Sequence, residues 1–423
     1  MEVKITPSQI GGCIHAINSK SHVHRLLICA ALSKKPVTIY CPDTSNDIEA
    51  TARCLCALGA SIKRVDKCYE ITPAESIPSD PLLNCSDSGS TLRFLLPVAA
   101  ALGADARFYM TGRLPERPIT PLTDQLIAHG CRVKKDTANI LHCASQLTPG
   151  EYSLPGNISS QYFSGLLFAL PLLNGDSVIH IEGDLESVGY IQMTLDALAQ
   201  SGISIIFEGD KFIVPGNQTY SLPEYVKSEG DWSNAAFWLS MGALSKKSVI
   251  CTGLNHKSSQ KDKRIVRILR RFGATVTTTP DTVTVSFEKL HGIVINAADI
   301  PDIVPVLAVV AASAEGTTKF THAGRLRMKE SDRLRSVTEM LKALGADITE
   351  YSDKLVINGT GTLKGGTVDS CGDHRIAMSA ACASVICTDT VTVKGAQCVS
   401  KSYPAFWDDF EMMGGKIERQ DTV

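Results

Sequence analysis

Six times along this chain, at intervals of about 71 residues, an amphipathic helix pattern stops at a glycine and gives way to a strand. The frames are CLCALGASI, DQLIAHGCRV, DALAQSGISI, ILRRFGATV, EMLKALGADI and FEMMGGKI. Their glycines are Gly59, Gly130, Gly202, Gly273, Gly345 and Gly414, separated by 71, 72, 71, 72 and 69 residues. A helix that must end and reverse into a strand needs a residue that tolerates the left-handed conformation just past its end, and glycine does so without a Cβ penalty.

Five of the copies continue through a short polar turn into a second strand, as in ATVTTTPDTVTVS, ISIIFEGDKFIVP and ADITEYSDKLVIN. These are β-hairpin patterns. The sixth runs out of chain before its return strand. Upstream of each frame lies another helix pattern followed by a β-rich stretch, so each copy reads βαβαββ once a lead-in strand is counted. The expected class is α/β (α+β), with 423 residues divided into two domains of three units each.

The first helix of each copy is apolar nearly all round, notably TLRFLLPVAAALG and IVPVLAVVAASA. Such helices belong in a domain centre, enclosed by sheets, with their starts gathered at one end. Unusual polar residues recur at those starts: Lys20-Ser21, Asp87 to Ser90, Ser159-Ser160-Gln161, Asp231 to Asn234, Asp302, and Asp373-His374-Arg375. Helix capping accounts for many of the Ser, Asp and Asn side chains. It does not account for Arg25, Arg93 and Arg375, because a cation near a helix N-terminus opposes the macrodipole unless an anion sits there. Gathered N-termini make an anion site.

The second helices begin with stronger charges, in GRLPERP, LESVGY, LRMKESDRLRS and CVSKSYPAF, which place Arg117, Lys329, Arg333 and Lys401 at strand-to-helix junctions. The run Lys261 to Arg271 reads as a solvated face. Glu330, flanked by cations, is either an ion-pair partner or an acid/base group beside bound anions. Asp302 is either an N-cap or a proton acceptor.

A net charge of −2 disfavours a protein that coats nucleic acid. The 14 cysteines show no zinc or thioredoxin spacing and read as free thiols of a reducing cytosol. No signal-peptide core and no membrane-length apolar run is evident, so a soluble cytoplasmic protein is expected. P-loop, GxGxxG, GxSxG and metal-ligand spacings are all missing. What remains is cofactor-free chemistry on small, multiply anionic substrates.

At these residues the chain resembles the 5-enolpyruvylshikimate-3-phosphate synthase family. NSKSHVHRLLICAALS, SGSTLRF, GRLPERP, GNISSQYFSGLL, MKESDRL, GDHRIAM and SKSYPAFW occur over the full length in that family's order and spacing. The resemblance implies one domain from residues 1–19 plus 230–423, a second from 20–229, and an active site in the cleft separating them. It implies transfer of the enolpyruvyl group of phosphoenolpyruvate to the 5-hydroxyl of shikimate 3-phosphate, with loss of phosphate, on the route to chorismate and the aromatic amino acids. It implies no metal and no organic cofactor, a monomer, and no nucleic-acid or membrane partner.

Carried over by motif, Lys20, Gly89, Arg117, Gln161, Arg333, Arg375 and Lys401 would hold phosphoenolpyruvate. Lys20, Ser21, Arg25, Ser159, Ser160, Gln161, Ser187, Asp302 and Lys329 would hold shikimate 3-phosphate, with Tyr190 lining that site. Asp302 would take the 5-hydroxyl proton, Glu330 would protonate the methylene carbon, and Lys20 would protonate the departing phosphate. Two departures stand out: Asp87 where many members have Asn, with capping as its expected role, and Phe94 where many have Pro. Gly89 keeps the small residue that leaves room for glyphosate in sensitive members.

The sister UDP-N-acetylglucosamine enolpyruvyl transferases carry a reactive cysteine in the loop equivalent to Tyr109–Thr120, and this chain has none there. A non-catalytic anion-binding homologue would not need both Asp302 and Glu330. A nucleic-acid clamp built from the repeats is disfavoured by the acidic net charge.

Overall fold

The computed structural model describes residues 1–420, and these fall into two compact units, one formed by Met1–Ser19 with the segment that begins at Glu229, the other by Lys20–Ser228. All six repeat glycines have positive φ, from 75° at Gly202 to 112° at Gly273, so the frame that marks the repeat is the turn that ends each second helix.

Each repeat builds one four-stranded sheet, and the six sheets share one topology. A lead-in strand pairs in parallel with the strand that follows the first helix. That strand pairs antiparallel with the return arm of the hairpin, and the first arm lies at the edge. In the second repeat the order is Leu82–Ser86, Ala106–Met110, Ile140–Ala144 and Arg132–Thr137.

In the Lys20–Ser228 unit, the first repeat takes its lead-in strand, Tyr225–Lys227, from the far end of the segment, with Tyr225 opposite Thr38. In the other unit, Gly12–His15 leads into Val249–Thr252. The return strand missing from the sixth copy is supplied by the N-terminus. Glu2–Thr6 lies antiparallel between Val391–Lys394 and Lys416–Gln420, with Val3 opposite both Val393 and Arg419.

Each unit has its own core. In one, the first helices are Lys20–Ala31, Gly89–Ala101 and Ser160–Ala169; in the other, Trp232–Leu244, Val304–Ser313 and His374–Ala383. Every residue of Trp232–Leu244 is buried. Most cysteines act as small apolar fillers of these cores, with free thiols, and burial pushes Cys29 up to about 12. Among the described residues no helix is long and apolar enough to cross a membrane.

The central helices approach closely where glycine allows it. A Cβ on Gly165 would lie 2.2 Å from the Arg93 carbonyl oxygen and 3.0 Å from Pro97 Cγ. Gly165→Ala must therefore push two buried helices apart, at a cost of about 1–3 kcal/mol. The expected result is a lower urea midpoint at unchanged m-value; an unmoved midpoint would show that this contact does not set the helix separation.

Candidate functional site

In the unit containing Glu229–Val423, the polar residues at the helix starts form one ion cluster. Asp302 precedes Val304–Ser313 but does not cap it, since the N-cap position is Ile303 and carries no side-chain cap bond. Its carboxylate instead accepts from Arg333 Nη1 at 2.7 Å and Arg375 Nη2 at 3.1 Å, with Lys329 Nζ at 4.0 Å.

Arg333 opens the helix Arg333–Ala343 and is 1% exposed. It joins both candidate acid/base groups: Nη1 reaches Asp302, and Nη2 reaches Glu330 Oε2 at 2.7 Å. Its Nε donates to Asp373 Oδ2 at 2.8 Å, and Nη2 also reaches Asp373 Oδ1 at 3.4 Å. Four of the five N–H donors of a guanidinium are thereby engaged. Asp373 also caps His374–Ala383 through the Arg375 N–H at 2.9 Å and accepts from Ser331 Oγ at 3.1 Å. The anions that the helix-start arginines require are, in this unit, the chain's own carboxylates.

The charges follow from this wiring. Burial opposes ionisation of Asp302, but Arg375, Lys329 and Arg333 outweigh it and hold the carboxyl well below the usual range. Burial lowers Lys329 to about 8, with Arg325 and Arg333 adding to the shift and Asp302 opposing it. Lys401 is buried at the end of the short turn Ala396–Lys401.

In the Lys20–Ser228 unit, Lys20 begins Lys20–Ala31 and its Nζ lies 2.7 Å from Asp47 Oδ2, in the first turn of Asn46–Ala57. Gly89 begins Gly89–Ala101, capped by Ser88, which accepts from the Thr91 N–H. The capping role expected of Asp87 therefore belongs to its neighbour; Asp87 Cβ packs 3.2 Å from where a Cβ on Gly112 would stand. At Gly89 an added Cβ would lie 2.5 Å from Arg93 Nη1 and 2.8 Å from Arg117 Nη1, so two guanidiniums border the helix start.

Gln161 accepts from Arg93 Nη1 and donates to Ser90 Oγ, both at 2.9 Å. Ser159 caps the helix begun by Ser160, accepting from the Gln161 N–H at 3.3 Å. Ser187 stands in the left-handed region, φ 53°, immediately before Val188–Gln200.

Arg25, like Arg93, is held by neutral groups rather than by a carboxylate. It is 2% exposed and donates to Thr194 Oγ1 at 2.9 Å, the Ser21 carbonyl at 2.6 Å and the Tyr190 carbonyl at 2.7 Å, with Phe94 under its guanidinium at 5.1 Å. Burial lowers it to about 10. This side chain ties Lys20–Ala31 to Val188–Gln200, and Ser21 and Tyr190 meet it through their carbonyls.

The solvated face expected at Lys261 to Arg271 holds for Arg264, Arg267, Arg270 and Arg271 but fails at Asp262, which is 3% exposed and accepts from Ser233 Oγ. The short turn Lys261–Arg264 carries this one side chain inward. Asp47, paired with Lys20, is likewise not marked out by its sequence neighbours. Both sit at second-helix starts, in the first and fourth repeats, the same place in the repeat that carries Arg117 and Lys329. Among the described residues, no group of three or more His, Cys, Asp or Glu side chains is placed to hold a metal ion.

Two solved structures share the fold across the chain. The EPSP synthase of Acinetobacter baumannii aligns with a TM-score of 0.82 at 23% identity, covering 99% of this chain and 100% of its own. The enolpyruvyl transferase NikO of Streptomyces tendae aligns with a TM-score of 0.81 at 18% identity, covering 100% and 99%. The architecture is thus one used by enolpyruvyl transferases. At the level of sequence, the profile of EPSP synthase (3-phosphoshikimate 1-carboxyvinyltransferase) matches residues 5–410. The 3-phosphoshikimate 1-carboxyvinyltransferases of Clostridium kluyveri and Clostridium acetobutylicum are 42% and 43% identical, each over 98% of this chain and 98% of the relative. The chain belongs to the EPSP synthase family.

Removing the Arg333 guanidinium would leave Asp302, Glu330 and Asp373 without their common cation. Arg333→Met should cost about 3–5 kcal/mol, the range for breaking a buried ion pair from one side. Arg333→Lys, a single ammonium that cannot reach all three in the same geometry, should fall between. Urea unfolding at neutral pH measures both, and a methionine variant as stable as the parent would show that the cluster does not depend on this cation.

Proposed function

We propose that this enzyme transfers the enolpyruvyl group of phosphoenolpyruvate to the 5-hydroxyl of shikimate 3-phosphate and releases phosphate, the reaction for which its relatives are named. The observation that carries the reading of the site is the placing of Asp302 and Glu330 on one buried guanidinium, among Lys329, Arg375 and Asp373.

From the Lys20–Ser228 unit, Lys20, Gly89, Arg117 and Gln161 hold phosphoenolpyruvate, and Lys20, Ser21, Ser159, Ser160, Gln161 and Ser187 hold shikimate 3-phosphate. Arg25 contributes to that second set by fixing the backbone at Ser21 and Tyr190. From the other unit, Arg333, Arg375 and Lys401 bind phosphoenolpyruvate, while Lys329 and Asp302 bind shikimate 3-phosphate. The substrates bring negative charge to arginines that are occupied by protein carboxylates, so binding redistributes those hydrogen bonds. An Arg333 drawn toward phosphoenolpyruvate holds Glu330 less tightly as an anion, which favours its taking up a proton.

Glu330 then delivers that proton to the methylene carbon of phosphoenolpyruvate, making the adjacent carbon electrophilic. The 5-oxygen attacks this carbon as its proton passes to Asp302, giving a tetrahedral adduct. Loss of phosphate, protonated by Lys20, and return of a methyl proton to Glu330 restore the double bond in the product. Asp302 is ionised in the free protein, the state a proton acceptor requires, and substrate anions that neutralise its cations raise its basicity. The 14 free thiols support a reducing cytoplasm.

Phosphate release should require both phosphoenolpyruvate and shikimate 3-phosphate; release with UDP-N-acetylglucosamine in place of the latter would overturn the assignment. A pH effect follows from Lys329, which is charged below about 8 in the free protein and neutral above. Affinity for the phosphorylated substrate should therefore fall as pH rises through about 8. The bound anion favours the charged ammonium, so the limb should appear in kcat/KM and be weaker in kcat. Lys329→Arg should carry the limb beyond the measurable range. A wild-type kcat/KM that stays flat to pH 9.5 or about there would remove Lys329 from the anion site.

A further inference from the structure

Val304–Ser313 and His374–Ala383 carry the ion cluster at their starts, and with Trp232–Leu244 they end around a cavity of about 620 Å³. Leu244, Ser313 and Ile386 line it, each at or just past the last turn of its helix. At 1.5 Å per residue, the ten-residue helix Val304–Ser313 sets this cavity roughly 15 Å from Asp302. None of the residues assigned to the reaction lines it.

The fold does not require such a space. In the Lys20–Ser228 unit the same helix ends, marked by Ala31, Leu102 and Leu172, leave about 140 Å³, and no charged residue lines that hollow. There the connection after the first hairpin, residues 73–81, folds inward. Ile77 packs on the core, and the Ser76 carbonyl oxygen would lie 2.4 Å from a Cβ on Gly59. The corresponding connection in the fourth repeat is residues 287–293. It turns Leu290 inward but leaves Phe287 47% exposed beside the cavity.

The walls divide by polarity. Leu244 and Leu290 form a buried apolar floor, and Lys246, Lys289 and Glu315 stand exposed at the rim. Lys289 Nζ pairs with Glu315 Oε2 at 2.6 Å, so Lys246 gives the lining one positive charge in excess. Three helix C-termini turn the negative ends of their dipoles toward the floor, which disfavours an anionic group there and favours it at the lysines.

We propose that this cavity is a second ligand site, taking a small amphipathic carboxylate. An apolar chain or ring lies against Leu244, Leu290 and Phe287, and the carboxylate sits on Lys246 at the rim. The volume falls within the range of small-molecule sites, which are mostly apolar with a few polar groups that orient the ligand. The proposal does not depend on which reaction the enzyme catalyses, because the two sites share no residue.

Calorimetric titration of the full-length protein with decanoate, and separately with 2-naphthoate, tests it. At least one should bind at a single saturable site with Kd below about 1 mM. Excess phosphoenolpyruvate or shikimate 3-phosphate should leave that affinity unchanged, which separates this site from the anion-binding helix starts. Lys246→Glu turns an attraction into a repulsion and should weaken binding about ten-fold. Thr360→Trp puts an indole into the cavity from an exposed lining position and should abolish binding. Both variants should release phosphate at the parent rate, which shows that they fold.

Saturable binding of neither carboxylate overturns the proposal. So does binding that Thr360→Trp leaves intact, that Lys246→Glu leaves unweakened, or that either substrate displaces.

Discussion

A helix that is apolar on every side has no face to give to water, and each unit of this protein contains three of them or nearly so. A helix with one apolar stripe can lie on a sheet; one like Val304–Ser313 has to be enclosed. Three sheets per unit supply the cover, and one repeated βαβαββ element supplies each sheet. Along such a helix the only place for charge is an end. The arginines and carboxylates at the starts of Val304–Ser313 and His374–Ala383 are therefore brought into contact by the burial of apolar residues that never touch them. The chemistry is placed by packing elsewhere.

The cations at the helix starts have protein partners before any substrate arrives, carboxylates for Arg333, Arg375 and Lys20 and neutral groups for Arg93. Arg333 is committed to three carboxylates, Arg375 to Asp302, Lys20 to Asp47 and Arg93 to Gln161 and the Pro118 carbonyl. A cluster of bare guanidiniums would repel itself and destabilise the fold; paired, it is tolerated in a buried setting. The same pairing means that anion binding is an exchange of partners. Affinity then reflects the difference between two sets of ion pairs, so it is lower than the number of cations suggests, while the exchange itself can alter the protonation of Glu330 and Asp302.

The repeat made much of the fold legible, because six glycines at one spacing carry a signal that none has alone, and all six have the positive φ that their position demands. The site was legible where charge sat at the start of an apolar helix or at a charged junction: Asp302, Glu330, Lys329, Arg333 and Arg375 lie together. Asp262 was hidden by its neighbours. In a run of lysines and arginines the average polarity says surface, and nothing in it reveals that a short turn carries one side chain inward. The partners of Arg25, Thr194 and Tyr190, were not legible because they are far away in sequence and meet it only through helix packing. The closing strand of the sixth sheet was unreadable for a related reason. In the other five copies the return arm follows directly on the hairpin turn, whereas in the sixth it is Glu2–Thr6.

That strand has a consequence for how the molecule is made. Glu2–Thr6 is translated before every other strand of the six sheets, yet its neighbours, Val391–Lys394 and Lys416–Gln420, are the two translated after all the others. The uninterrupted Lys20–Ser228 segment holds all the strands of its own three sheets and is able to close while the remainder is still being synthesised. For all of that interval the amino-terminal segment carries open backbone hydrogen-bonding groups on both edges, the condition under which strands find wrong partners. The final sheet is therefore a lock that turns only once Lys416–Gln420 has been made, and a nascent chain stalled short of Val391 keeps Glu2–Thr6 exposed to chaperones, proteases and its own neighbours.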